Sequence, residues 1–516
     1  MLLWLVFLPV IGGFIAWLCH VFIQRIVTSI HIQIRWYELP TIVAFATTFI
    51  TLIMAINLWA EALTVFQQGE NWIQEVNLEW IPLLGICFHL VLDGFSMIMI
   101  TSVLFIVLLT IVYSTKENFN NLGLYYLCIL FMTSAVMMLF VITDLFLFFF
   151  FWEAVAIPIY FLISLWGRRD TSSQLSFNGA SRFLIYTQIS SLLMLISIVS
   201  LALINWSLTD KWTFDYQILT KTPISSYVEF LLMLGFLAAF IVRIPFVPFH
   251  SWFIQAHIES STTGSMMISG LLLNTATYGL LRIAIPLFPN ASITIMPVIL
   301  ILAVITVIYA ALVAFNQTDI KKLIAYIHIA LMGFVTAIIY SSSVVAYQGV
   351  AIQMIAINLA IVGMFVISGL LVECYSTRNI TQFTGLKEQI RYLSSFTLFF
   401  MLAVLGIPGT ANFVGNYMML FGSYESYSYY TILLVIGLLL LSISLIIRMQ
   451  PIFYGVTNNH ESVVKHSLAK KDILLLVSIL GVLIFIGLYP QNVLDMSYSV
   501  MNQTQQYITT ERVGDQ

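Results

Sequence analysis

The sequence predicts an all-α polytopic membrane protein of about fourteen transmembrane helices, and three observations predict it. Of its 516 residues 60% are hydrophobic and only 8% are charged. The mean hydropathy is +1.00. Apolar windows of about 20 residues, the length that crosses a bilayer as a helix, recur from one end of the chain to the other. No soluble core absorbs that much apolar surface. The net charge of −3 comes without any basic run or stripe, which excludes a nucleic-acid-binding face.

The windows place spans near residues 2–23, 40–60, 85–113, 122–142, 146–166, 181–206 and 227–253. Further spans follow near 262–285, 292–314, 320–341, 347–373, 392–423, 428–449 and 472–490. The first, MLLWLVFLPVIGGFIAWLCH, lacks a basic leader region and a small-residue cleavage site, so it reads as a retained span. Cys19, Cys87, Cys128 and Cys374 are scattered, with no CxxC, no iron–sulfur ligand spacing and no disulfide framework, and read as packing residues.

Loop charges give an independent check on this count. Arg25, Arg35, Lys116, Arg168, Arg169 and Arg182 fall in or beside the loops after spans one, three and five. Lys321, Lys322, Arg378, Lys387, Arg391, Arg448, Lys465, Lys470 and Lys471 also follow odd-numbered spans. The alternate loops hold Lys211, Lys221 and Arg282, and the loop after span two carries Glu61, Glu70, Glu75 and Glu79. The positive-inside rule then puts the odd loops in the cytoplasm and both termini outside.

Two spans are interrupted. Span seven carries Pro245 and Pro248 in RIPFVPFH, and span twelve carries Pro408 and Gly409 in LGIPGTANFVGN. Proline removes a backbone donor and clashes with the preceding turn, so each helix should kink or unwind at mid-depth. If spans four to eight and nine to thirteen are two five-helix repeats of inverted topology, the breaks correspond. Paired broken helices mark the ion path in inverted-repeat transporters, whereas isolated proline kinks are also common in membrane helices. The expected organisation is 1–121 for spans one to three, 122–291 for the first repeat and 292–450 for the second, inverted repeat. Residues 451–516 then hold an amphipathic or loop segment, the last span and a short tail.

The candidate chemistry starts with one acid. Glu153 lies within DLFLFFFFWEAVAIPIYFLISLWG, where a carboxylate costs roughly 2.5–3.5 kcal/mol on insertion scales. Its best cationic partner is Arg243 in IVRIPFVPFHSW, the basic residue well inside an apolar span. An intramembrane charge points to an ion or proton path, and the plainer reading is an ion pair that fixes helix register. His250 and His257 lie seven residues apart at the end of span seven, on one face if the helix continues. Imidazole titrates near neutrality, so they are candidates for a proton relay, and capping or interface histidines are the alternative. His257 and Glu259 have no third ligand nearby, so no metal site is expected.

The order DLFLFFFFWEAVAIPIYFLISLWG, SRFLIYTQISSLLMLISI, VEFLLMLGFLAAFIVRIPFVPFHSW, TDIKKLIAYIHIALMGFV and LGIPGTANFVGNYMMLFGSY resembles the M-type subunits of the proton-pumping NADH:quinone oxidoreductase, respiratory complex I. These belong to the antiporter-like membrane subunit superfamily. The resemblance covers essentially the whole chain. It implies fourteen spans with inverted repeats, a place in a membrane arm beside subunits L and N, and a bacterial inner (plasma) membrane. NADH, FMN, iron–sulfur clusters and quinone are then expected on partner subunits, since this chain has no dinucleotide fingerprint, no cluster cysteines and no flavin motif. The alternative is a subunit of a monovalent cation/proton antiporter or related ion-coupled transporter. A purely structural spacer is a third reading.

Carried over position by position, the family's helix-five glutamate is kept as Glu153. The helix-seven lysine is replaced by Arg243, and the helix-eight lysine, expected in LLLN where the family reads LLK, is Asn274. The histidine expected just before MGF is Leu331, the one after IQMIA is Ile357, and the glutamate expected in NFVGN is Asn416. FIQAHIESST stands where the family usually has LPDAHxxAPT. A buried lysine can exchange its proton, whereas arginine effectively cannot. Asparagine orients water without carrying an exchangeable charge, and Leu331 and Ile357 should dry the path. The resemblance therefore implies a retained scaffold whose own proton channel is silent or strongly impaired.

Overall fold

The computed structural model describes residues 1–30, 38–67, 72–167, 173–383, 385–386, 390–454 and 468–514. Arg35, Glu70, Arg168, Arg169, Lys387 and Lys465 of the loop-charge pattern lie outside the described residues. The chain runs α1 (Leu2–Ile30), α2 (Leu39–Gln67), β1 (Gln74–Ile81), β2 (Ile86–Leu92), α3 (Gly94–Ser114), α4 (Leu122–Val141), α5 (Leu145–Ser164) and α6 (Ser173–Thr209). Next come α7 (Tyr216–Leu219), α8 (Ser226–Arg243), α9 (Ser251–Glu259) and α10 (Thr262–Leu287). The last seven are α11 (Pro289–Phe315), α12 (Ile320–Ile339), α13 (Val344–Tyr375), α14 (Arg391–Val404), α15 (Ala411–Tyr454), α16 (Lys470–Leu488) and α17 (Gln491–Gly514). Among the described residues thirteen helices are long and apolar enough to cross a membrane, which makes this a multi-pass membrane protein.

The count differs from the fourteen expected because of spans twelve and thirteen. α14 is a shorter apolar helix, and the stretch counted once as α15 is two helices meeting at a kink at Tyr427 (φ −156°), so expected spans twelve and thirteen lie on either side of it. The expected third span also starts too early. Residues Ile86–Leu92 form β2, paired antiparallel with β1, and the helix begins only at Gly94. Asp93 sets that start as a helix cap, accepting from Ser96 N at 2.8 Å.

The chain divides into two compact units, residues 1–240 with 259–291 and residues 241–258 with 292–516. In the first, α1 packs on α2 and α4, α5 lies between α4 and α6, and α10 packs on α3. α10 is almost wholly buried and contains two π-helical turns, Ile268–Leu272 and Leu280–Ala284. Its Tyr278 stacks on Phe95 and donates to the Phe140 carbonyl at 2.8 Å. Arg282 Nη2 donates to Asp93 at 2.9 Å, so the acid that caps α3 is also paired.

In the second unit α13 is the interior helix, surrounded by α12, α14, α15, α16 and α17. Glycines set how close α15 comes to it. A methyl group at Gly422 would sit 2.6 Å from Ala346 N, and one at Gly349 would sit 2.8 Å from Met419 N. Both obstacles are backbone, so the helices would have to part.

Overpacking of this kind costs about 1–3 kcal/mol. Gly422→Ala should therefore lower the thermal midpoint of the purified assembly. Gly481→Ala, where nothing lies within 4 Å, should leave it unchanged or slightly raised. Tryptophan-fluorescence melts in matched detergent make the comparison, and equal melts for the two variants would contradict this packing.

Candidate functional site

The retained acid sits in the first unit. α5 begins where Asp144 caps it, accepting from Leu147 N at 2.9 Å, and Glu153 follows in its middle. Glu153 is half-buried, beside Trp152, whose ring packs edge-on against Phe240. Gln188 on α6 donates to Glu153 Oε2, while Oε1 is buried and bonds to no atom of the described residues. Asn274 occupies α10 just after its first π-turn and is fully buried. Neither atom of its amide has a hydrogen-bond partner among the described residues. Buried polar atoms in this state ordinarily take ordered water, and π-turns recur where helices carry function.

The second unit holds Arg243, which is 1% exposed, at the end of α8. Glu153 and Arg243 thus belong to different units. The helix stops after Arg243 and resumes at Ser251, with Pro245 buried and Pro248 exposed in the interval. Two side chains satisfy the backbone that the interruption frees. Trp252 Nε1 donates to the Val242 carbonyl at 2.9 Å, and Val247 N donates to Thr306 Oγ1 at 3.2 Å. Such replacements let an irregular segment persist at membrane depth.

The second interruption lies between Val404 and Ala411. Gly406 at φ 76° and Gly409 at φ 94° adopt left-handed conformations that favour glycine, and Pro408 between them cannot donate. Gly406 also needs its missing side chain, because a methyl group there would lie 2.7 Å from Asn416 Nδ2. Asn416 is half-buried on α15, and Ile357 is fully buried on α13. Between those positions stands a pair of amides. Gln353 Nε2 donates to Asn412 Oδ1, and Asn412 Nδ2 donates to the Ala356 carbonyl, both at 3.4 Å. Leu331 is buried on α12.

His250 and His257 do not share a helix face. The expectation assumed that span seven continued, but His250 precedes α9 and only His257 lies within it. His250 packs against Tyr309 and Tyr326 with ring centroids 5.2 and 6.2 Å away. His257 is fully buried, stacked on Phe365 at 4.7 Å with Phe253 against its edge. Phe253 also touches a third histidine, His328 of α12, at 5.7 Å. His328 is fully buried, and neither of its ring nitrogens has a hydrogen-bond partner among the described residues.

Residues 142–442 match the family described as "NADH:quinone oxidoreductase/Mrp antiporter, TM". The chain is 39% identical over 517 residues to NADH-quinone oxidoreductase subunit M of Escherichia coli K12, covering 99% of both chains. It is 38% identical over 512 residues to the subunit M of Pseudomonas aeruginosa, covering 98% of this chain and 97% of that one. This chain belongs to the NADH-quinone oxidoreductase subunit M family. Its fold is shared with a chain of respiratory complex I from Thermus thermophilus, at TM-score 0.84 and 22% identity over 98% of this chain and 100% of that one. A chain of the Mrp complex from Dietzia has it too, at TM-score 0.79 and 16% identity over 98% and 99%. The near full-length identity to subunit M decides between the oxidoreductase and the antiporter alternatives.

Within this M-family chain, residue-by-residue reading missed Gln188 and His328. Gln188 leaves no charge signal, and its partner lies 35 positions away. His328 had a usable signal, since it stands seven residues after Lys321 on one face of an apolar helix.

The interruption after Arg243 supplies a direct test of how it is held. Thr306→Val keeps the shape but removes the acceptor for Val247 N, a loss of about 1–3 kcal/mol for a buried unsatisfied group. Amide exchange through residues 245–250 should accelerate, and Thr306→Ser should restore the wild-type rate. Unchanged exchange in the valine variant would mean that another acceptor holds the segment.

Proposed function

We propose that this chain is a membrane-arm subunit of a proton-translocating NADH:quinone oxidoreductase, and that its own proton path is silent or strongly impaired. The observation that carries the second part is the chemistry of the buried positions. Asn274, Leu331, Ile357 and Asn416 offer no group that gains and loses a proton near neutral pH. The Gln353–Asn412 amide pair beside Ile357 is equally non-titratable. Waters ordered by these amides can still relay a proton, but no fixed charge along them draws one in.

Arg243 completes the account, because a guanidinium stays charged in proteins and cannot exchange a proton as a buried lysine can. His250 and His257 remain relay candidates, and each ring packs against aromatic side chains.

The redox chemistry belongs to other subunits on this reading. The spacing of the four cysteines fits no cluster ligation. NADH, FMN, iron–sulfur clusters and quinone are placed on partner subunits, with subunits L and N as neighbours in the arm. The likeness to bacterial subunit M chains supports an inner (plasma) membrane location, and the positive-inside pattern supports both termini on the periplasmic side.

Restoring the missing groups tests the reading. Arg243→Lys, Asn274→Lys, Leu331→His and Asn416→Glu introduced together should raise the protons moved per electron pair by the share of one antiporter-like subunit. NADH oxidation should stay at the unmodified rate. A variant that assembles and oxidises NADH with no gain in protons would overturn the silent-path reading.

A further inference from the structure

A buried titratable group that the proton path leaves aside lies in the hairpin of the first unit. His89 of β2 is 6% exposed. Its Nδ1 is 2.7 Å from Asp215 Oδ2, and its Nε2 is 2.7 Å from Glu75 Oε1. A neutral imidazole has one N–H, so only the cation donates to both carboxylates at once. The bond to Asp215 raises the His89 pKa above its ordinary value, burial opposes it, and the bond to Glu75 adds to the rise.

The other titratable groups here are Glu79 on β1, Cys87 on β2 and Asp144 in the turn before α5. Burial pushes the Asp144 carboxyl up to about 6, with the Asp215 charge adding to that. Burial also raises the Cys87 thiol, helped by Asp144, Glu79 and Asp215. The Asp93–Arg282 pair stands at the far end of β2, and Lys211 and Lys221 on either side of α7 are exposed.

His89 is tied by backbone to the start of α5. Thr143 N and Thr143 Oγ1 both donate to the His89 carbonyl at 3.0 Å. Tyr216 N donates to the Thr143 carbonyl and Leu145 N to the Phe214 carbonyl, each at 2.9 Å. Asp144 Oδ2 accepts from Cys87 N at 3.1 Å while Oδ1 caps the helix. Glu153 lies nine residues further along this helix.

We propose that His89 is a pH-operated clasp: as a cation it binds the hairpin to the turn before α7 and steadies the first turn of α5, and as a neutral ring it lets Glu75 go. Glu75 is the partner released because its side chain is 44% exposed, against 21% for Asp215. Asp215 is also held independently, accepting from Gln217 N at 2.8 Å. The stabilisation is fully present below the ordinary histidine value near 6.5 and is lost as pH rises through the higher folded value. Asp144 acts in the same sense, since its raised value favours the folded chain at low pH. The clasp stands on the hairpin geometry alone. On the orientation proposed above, it faces the compartment that receives protons and tightens as they accumulate.

Hydrogen exchange across pH 5.5–9 on the whole complex, corrected for intrinsic exchange, tests this on residues 74–92 and 213–219. In the wild type, protection should fall in a step as pH rises through the His89 titration, above the lower one that Asp144 contributes near 6. His89→Phe should abolish that step. Glu75→Gln should move it to lower pH, and carries the test if the phenylalanine variant fails to assemble. A wild-type profile without a step, or a step unmoved by Glu75→Gln, would overturn the proposal.

Discussion

A polar atom withdrawn from water inside a bilayer must find its partner within the protein, and most of this structure follows from that constraint. It explains why the two interruptions are places of dense local bonding and not loose ends. At the first, the Trp252 indole and the Thr306 hydroxyl take up a carbonyl and an amide that an unbroken helix would have used. At the second, Gly406 turns the chain sharply enough for Ile407 N to reach the Leu402 carbonyl at 3.1 Å. Paired charges obey the same rule in the first unit, where Asp93 both caps a helix and meets Arg282.

Packing and proton chemistry rest on different residues here, so one can change while the other persists. The approach of α13 to α15 depends on Gly349, Gly415 and Gly422, where a methyl group would strike backbone or Gln353. None of the substituted axis positions supplies those contacts. Asn274 and Leu331 cost less to desolvate than a charged lysine or histidine would at the same buried positions. A subunit can therefore lose its titratable groups without losing its place in an assembly.

Much of the fold was legible because bilayer thickness imposes a length, and proline and glycine impose breaks. The windows at 122–142 and 146–166 fall on α4 and α5, and Pro245 and Pro408 stand in the gaps between helices. The expected break between 392–423 and 428–449 falls at the Tyr427 kink, with no proline or glycine beside it. What escaped has physical reasons. ICFHLVL is an apolar run of seven, too short to tell strand from buried helix, and its partner QEVNLEWI settled it by pairing. At the site, acids and bases announced themselves as rare letters in apolar text, which is how Glu153 and Arg243 were found. The amides did not, because Gln188, which bonds Glu153, and the Gln353–Asn412 pair are ordinary residues whose meaning comes from tertiary neighbours. The His250–His257 face failed because it assumed a helix that the prolines end.

The most direct test of the account is the number of protons translocated per NADH oxidised, in inverted vesicles whose complex carries this chain as its only M-type subunit. The reference is the same complex with an M subunit that keeps the lysines, histidines and glutamate of the family pattern. A lower ratio at equal NADH oxidation is the result expected of a scaffold that holds the arm without conducting. An equal ratio would contradict it and would mean that water and the remaining buried histidines, His328 among them, carry the proton.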